Sequence, residues 1–210
     1  MIIQVKVKGS ASSGNYNHTG IPGSVGGSAP SIIQDLQNSL GITTTVYFVD
    51  SIGKDIFGNT ITGKYNPEEN LIQIVRSAFT GQDLTAIGFS RKTTAGMGLD
   101  AVLAHEMFHA YDGGYEGIYS KSKAVKKLFL KEKTFMFDGD TSRAVSRYSM
   151  TSEAEFLAEN FAVYKLNPRW LQTNSPEVFK YFQGMLSSKV KSLSVQGKSE
   201  YLVKLEYRWA

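Results

Sequence analysis

Residues 105–109 read His-Glu-Met-Phe-His, and no other stretch of the chain places chemistry-bearing side chains at so telling a spacing. Residues four apart share one face of a helix, so the imidazoles of His105 and His109 can reach a single divalent ion. Glu106 falls one residue along, within reach of a water held by that ion. Two histidine ligands and a general-base carboxylate on one helical turn form the arrangement that activates water on zinc. The chain has three histidines in all, and two stand in this pentapeptide. The alternative is an amphipathic helix that carries two partly exposed histidines and no metal.

A catalytic zinc takes three protein ligands and leaves a fourth position for water. After His109 there is no histidine, and the chain contains no cysteine. His18 lies far upstream in a segment dominated by Gly, Ser and Asn. The third ligand therefore has to be an Asp or Glu on another rigid element. Asp112 follows too closely on the same helix, and Glu116, Asp138 and Asp140 fall in expected loops. Glu155 and Glu159 share one face of an expected helix from Ser152 to about Lys165, which Phe156, Phe161 and Ala162 pack into the core. Glu155 is the expected zinc ligand, and Glu159, one turn on, is placed to accept the free N–H of a ligating histidine. A second reading stays open: Ser152 followed three residues later by Glu155 also forms a capping box, which needs no metal.

The elements that must hold these groups follow from hydrophobic periodicity. Met1 to Lys8 alternates as a strand, and Gly9–Pro30 is expected to be a long loop or arm. Ile32, Ile33, Leu36 and Leu40 form one stripe of a helix over Pro30–Leu40, stopped by Gly41. Thr43–Val49 reads as a strand, and two more near Thr60–Tyr65 and Asn70–Arg76 are joined by a turn at Asn66–Glu69. The helix bearing the histidines runs from about Leu99 to Asp112 and ends at Gly113-Gly114. Further helices are expected over Ser122–Thr134 and Pro176–Ser187, with Val178, Phe179, Phe182 and Leu186 inward in the latter. Tyr201–Trp209 alternates like a returning strand.

Taken together, His-Glu-x-x-His and then Tyr148, Thr151, Glu153, Ala154, Glu155, Phe156, Ala158, Glu159 and Phe161 make a joint pattern. It resembles the catalytic domain of the anthrax lethal factor family of zinc metallopeptidases, of gluzincin type. More loosely, it is similar to the bacterial Pro-Pro endopeptidases. The resemblance runs from about Leu99 to Leu186. It implies one zinc per chain on His105, His109 and Glu155, with Glu106 as catalytic base, and a transition-state role for Tyr148, seven residues before the glutamate ligand. Phe108 stands where the family often has glycine.

The expected fold is α+β and zincin-like: a small twisted mixed sheet packed on the HExxH helix, followed by a mostly helical half that carries the glutamate ligand. Residues 1–210 are expected to form one domain. The expected activity is a zinc endopeptidase acting on a protein or peptide substrate bound in extended form along an edge strand. The rival is a zincin-fold binding or targeting module without activity. The net charge of +4 is mild and scattered, so no nucleic-acid partner is expected, and it disfavours a preference for basic peptides. The densest basic run, Lys121 to Lys133, reads as the wet face of a helix whose other side carries Val125, Leu128 and Phe129. No apolar run reaches the roughly 20 residues that span a bilayer. The absence of a leader peptide leans towards a toxin or effector module delivered into a host cell, with a mature secreted domain or a cytosolic protein as the other expectations.

Overall fold

The computed structural model describes residues 5–7, 29–54, 61–75, 98–114, 117–139 and 144–195. Its first strand, β1, is Val5–Val7. Helix α1, Ala29–Leu40, buries the expected stripe of Ile32, Ile33, Leu36 and Leu40. Gly41 ends it at φ 58°, a conformation glycine adopts without a Cβ penalty. Strands β2 (Thr45–Val49), β3 (Gly63–Asn66) and β4 (Leu71–Val75) complete a mixed sheet in the order β1-β2-β4-β3. β2 runs parallel to β1 and β4, whereas β3 returns antiparallel to β4 with Lys64 opposite Gln73. Four of the five β4 residues are buried, as befits a strand covered on both faces.

The β3–β4 turn is held by asparagines. The Asn66 side chain accepts from the Glu68 N–H at 3.0 Å, and Asn70 adopts φ 47°. The Asn70 amide in turn donates to the Thr43 carbonyl at 2.7 Å, tying the hairpin to β2.

Helix α2, Gly98–Tyr111, is apolar around most of its circumference and nearly all of it is buried. It lies between the sheet, touching β3 and β4, and a later helix, α4 (Glu153–Leu166). Gly113 and Gly114 close it with φ of 79° and 60°. Beyond them the Asp112 carboxylate accepts from the Tyr119 and Ser120 N–H groups at 2.6 and 3.1 Å, pinning the connection into helix α3 (Lys123–Phe137). In α3 Val125 and Phe129 face inward, while Lys123, Lys126 and Lys127 are exposed, the wet face expected of the basic run.

Ser152 caps α4, its hydroxyl accepting the Glu155 N–H at 3.2 Å. Phe156, Leu157, Phe161, Ala162 and Val163 then drive α4 into the core. A short helix α5, Pro168–Asn174, was not anticipated from periodicity, although Pro168 at its first turn and the Asn167 cap on the Trp170 N–H (3.3 Å) are ordinary helix-start chemistry. Helix α6, Pro176–Val195, runs past the expected stop at Ser187. Its Phe182 packs on Phe108 and Phe161, with ring centroids 5.8 Å away in both cases.

The structure is thus α+β, with a small mixed sheet followed by helices. His18, Glu116 and Asp140, most of the 9–30 segment and the Tyr201–Trp209 strand lie outside the described residues. No helix among the described residues is long and apolar enough to cross a membrane.

Candidate metal centre

The third turn of α2 turns His105 and His109 towards the start of α4. Their Nε2 atoms lie 3.0 Å apart, and Glu155 Oε2 lies 3.1 Å from the first and 3.4 Å from the second. A tetrahedral centre with bonds of about 2.0–2.1 Å needs donor atoms about 3.3 Å apart, and the three sides match it. Among the described residues this is the group of three His, Asp or Glu side chains able to hold one ion.

The capping reading and the ligand reading of Glu155 are compatible. Ser152 satisfies the main-chain N–H of Glu155, while the Glu155 carboxylate points at the imidazoles. One residue is both the third position of a capped helix and a convergent donor. Glu159 sits one turn on, wholly buried, with Oε1 3.0 Å from His105 Nδ1. An N–H donated from Nδ1 to a carboxylate leaves the Nε2 lone pair for a cation, which is how ligating histidines are usually fixed.

Glu106 is buried beside the cluster, in the wall formed with β3. A Cβ on Gly63 would lie 2.7 Å from Val102 Cγ1, 2.8 Å from Glu106 Oε1 and 2.9 Å from its Cγ. Glycine at this strand position is therefore what lets α2 approach the sheet and Glu106 fit between them. The main chain of Tyr65, on the same strand, favours the charged form of the Glu106 carboxyl against its burial.

Charge in this pocket is out of balance. Glu106, Glu155 and Glu159 bring three carboxylates against two imidazoles, with His105, Glu106 and Glu159 buried and His109 and Glu155 partly open to solvent. Burial raises the Glu106 and Glu159 carboxyls above the ordinary range, with the imidazoles pulling partly the other way. Burial also opposes ionisation of Glu155, but hydrogen bonds to His105 and His109 prevail and hold it well below that range. At His105 burial favours the neutral ring, yet the hydrogen bonds to Glu155 and Glu159 outweigh it and raise the imidazole well above its usual value. The metal-free cluster thus gathers protons, and a divalent cation answers the same excess of negative charge.

Tyr148 is brought to this site by a 3-10 turn, Tyr148–Met150. Its ring stacks over His105, with centroids 6.2 Å apart and planes at 29°. Burial, and then the negative charge of the Glu155 carboxylate, raises its phenol above the ordinary tyrosine range, so it remains a donor. All of these groups line or underlie one open cleft of about 730 Å³. Lys64, Lys121 and Lys126 stand at its edges with Glu153.

All six residues singled out by sequence, His105, Glu106, His109, Tyr148, Glu155 and Glu159, therefore meet at one place. Asp112 does not join them; it binds main-chain N–H groups of its own loop. Asp138 is likewise elsewhere, ending α3. Gly63 was not anticipated, although an isolated glycine in a strand pattern is a signal of close backbone approach. Ser146 was also missed. Its hydroxyl donates to Glu159 Oε2 at 2.7 Å, and a lone serine before a turn carries no sequence signature.

Comparisons with protein-family models, with curated proteins and with solved structures find no match for the chain.

Proposed function

We propose that the chain is a zinc-dependent endopeptidase of zincin type, similar in its working parts to the lethal factor family. The observation that supports this reading is the convergence of His105 Nε2, His109 Nε2 and Glu155 Oε2 within 3.0–3.4 Å, with Glu106 buried alongside. Two nitrogens and one oxygen at these separations suit zinc, which favours such mixed donor sets over the all-oxygen cages of calcium or magnesium.

Zinc, when bound, supplies a Lewis acid that brings a water towards ionisation near neutral pH and polarises a carbonyl. The rest falls to the protein. An extended peptide lies along β3, the last strand in the sheet order, and pairs with its outer side. Glu106, buried between α2 and β3, takes a proton from the attacking water and passes it to the departing amine. Burial raises the Glu106 carboxyl above the ordinary carboxylate range, which favours its returning the proton it accepts. Tyr148 donates its phenol hydrogen to the developing oxyanion. Glu159 keeps His105 in the tautomer that leaves Nε2 open. The lysines at the cleft edges, Lys64, Lys121 and Lys126, outnumber Glu153 and disfavour a run of basic residues in the substrate. A secreted enzyme, or one delivered into a host cell, fits the same resemblance.

The test is metal analysis coupled to cleavage of a peptide library, with a chelator and Glu106→Gln as controls. The expected result is one zinc per chain, cleavage abolished by chelation, and a Glu106→Gln variant that keeps zinc but loses turnover by several orders of magnitude. Full metal occupancy without cleavage of any peptide would favour the inactive binding module instead.

A further inference from the structure

We propose that Ser146 is a positioning residue, whose single hydroxyl locks the orientation of His105 to the placement of Tyr148. The inference rests on the metallopeptidase reading above and concerns how the two halves of that site are held in register. His105 and Glu106 come from α2 and Glu155 from α4, but Tyr148 stands on a connecting turn with no sheet or long helix of its own. Something has to hold that turn, because a donor to an oxyanion is useful only when its hydrogen bond is placed within a few tenths of an ångström.

Ser146 does so by geometry. A backbone N–H can only donate, so the Ser149 N–H donates to Ser146 Oγ, at 2.9 Å. That leaves the Ser146 proton for Glu159 Oε2, at 2.7 Å. Glu159 presents its other oxygen to His105 Nδ1 at 3.0 Å. The path is then Ser149 main chain, Ser146 hydroxyl, Glu159 carboxylate and His105 ring, all of it buried. A second bond closes the loop, from Ser149 Oγ to the Ser146 carbonyl at 2.6 Å. Tyr148 is covalently next to Ser149. Its own carbonyl is held by the Thr151 N–H and hydroxyl at 3.0 and 2.7 Å. The turn is thus braced within itself by Thr151 and Ser149, runs through Thr151 and Ser152 into α4, and is bonded to Glu159 of that helix by the Ser146 hydroxyl. Removing that hydroxyl strands a buried carboxylate oxygen and a buried N–H together, so a local rearrangement is forced.

Three readouts distinguish positioning from mere support of the fold. In Ser146→Ala, zinc affinity measured by competition with a chromophoric chelator should fall on the order of tenfold, the lower end for outer partners of a ligating histidine. Cobalt-substituted protein should show a shifted visible absorption spectrum, since the His105 ring is no longer held in one orientation. On a peptide cleaved by the wild type, kcat should fall while KM stays within about twofold, because Tyr148 acts mainly in the transition state. In a Tyr148→Phe background the kcat effect of Ser146→Ala should largely vanish. Ser146→Thr, which keeps the hydroxyl, should restore affinity and spectrum. Ser146→Cys, nearly isosteric but a poor donor, carries the same test if the alanine variant does not fold. A folded Ser146→Ala or Ser146→Cys with wild-type zinc affinity, spectrum and kcat overturns the inference and leaves the peptidase reading standing. A wild-type chain that binds no transition metal overturns both.

Discussion

Replacing Gly63 with alanine asks one methyl group to enter the tightest contact between the sheet and α2. That methyl would meet Val102 Cγ1 at 2.7 Å and Glu106 Oε1 at 2.8 Å. Carbon atoms rest at about 3.5–4.0 Å, so strand and helix must part by about 0.8 Å or a side chain must swing away. Val102 is β-branched and held in one helical rotamer, which leaves Glu106 as the group that yields. Overpacking of this kind costs about 1–3 kcal/mol. For a chain of this size that is a fall in melting temperature of about 2–12 °C. The consequence for catalysis is larger: misplacing a base by about 1 Å costs on the order of a hundredfold in rate. None of the three candidate donors, His105, His109 and Glu155, is among the nearest atoms that methyl would meet, so metal content should hold. The assay is a thermal melt, a zinc stoichiometry and kcat on a cleaved peptide, for Gly63→Ala beside the wild type. A melt and a kcat both indistinguishable from wild type would refute the close-approach argument. Loss of zinc would show instead that the strand supports the ligands and not the base alone.

Four further outcomes are expected. Glu155→Gln, which weakens the donor but keeps the Ser152 cap on its N–H, should abolish stoichiometric zinc binding while the circular dichroism spectrum is unchanged; full zinc occupancy would remove Glu155 from the ligand set. Tyr148→Phe should lower kcat more than it raises KM in steady-state peptide cleavage, and an unaltered kcat would return Tyr148 to the cleft wall. Protein stripped of metal holds His105 above the imidazole range and Glu106 and Glu159 above the carboxylate range. These protonated forms favour the folded state, so their stabilisation is lost as pH rises through the folded values, and the apo protein should melt lower at about pH 8.5 than at about pH 6. Zinc-loaded protein should not show that fall, because metal binding needs the ligands deprotonated; an apo melt rising over the same window would contradict the charge argument. Phe108→Ala, removing a fully buried ring stacked among Tyr111, Phe161 and Phe182, should cost about 3–5 kcal/mol in denaturant unfolding, and a change under about 1 kcal/mol would mean the core closes over the gap.

The site was more legible than the scaffold around it. His105, Glu106 and His109 are fixed relative to one another by the helix itself, so local spacing was enough to place them. Glu155 is remote in sequence, but the lack of another histidine or any cysteine narrowed the choice, and the apolar face of α4 gave its direction. Ser146 and Gly63 were not legible because their roles exist only across a tertiary contact: a serine needs a buried carboxylate opposite it, and a glycine needs a helix pressed on it. Helix α5 escaped because seven residues with one buried position, Leu171, carry no readable stripe, and the cap chemistry of Asn167 and Pro168 was the available clue. Helix α6 continues past Ser187 because no glycine or proline stands between there and Val195 to stop it. Phe108, where the sequence resemblance implies glycine, becomes understandable once Phe161 and Phe182 are seen around it.

That aromatic trio carries an implication for how the protein comes into being. Phe108 belongs to the histidine helix, Phe161 to the glutamate helix, and Phe182 arrives only with α6. A fragment ending soon after α4 would own every donor atom and still lack the wedge that presses the two donor-bearing helices from behind. On the metallopeptidase reading proposed above, acquisition of an ion would be tied to the late part of the chain, and proteolytic trimming there would disarm the centre without touching a single candidate donor.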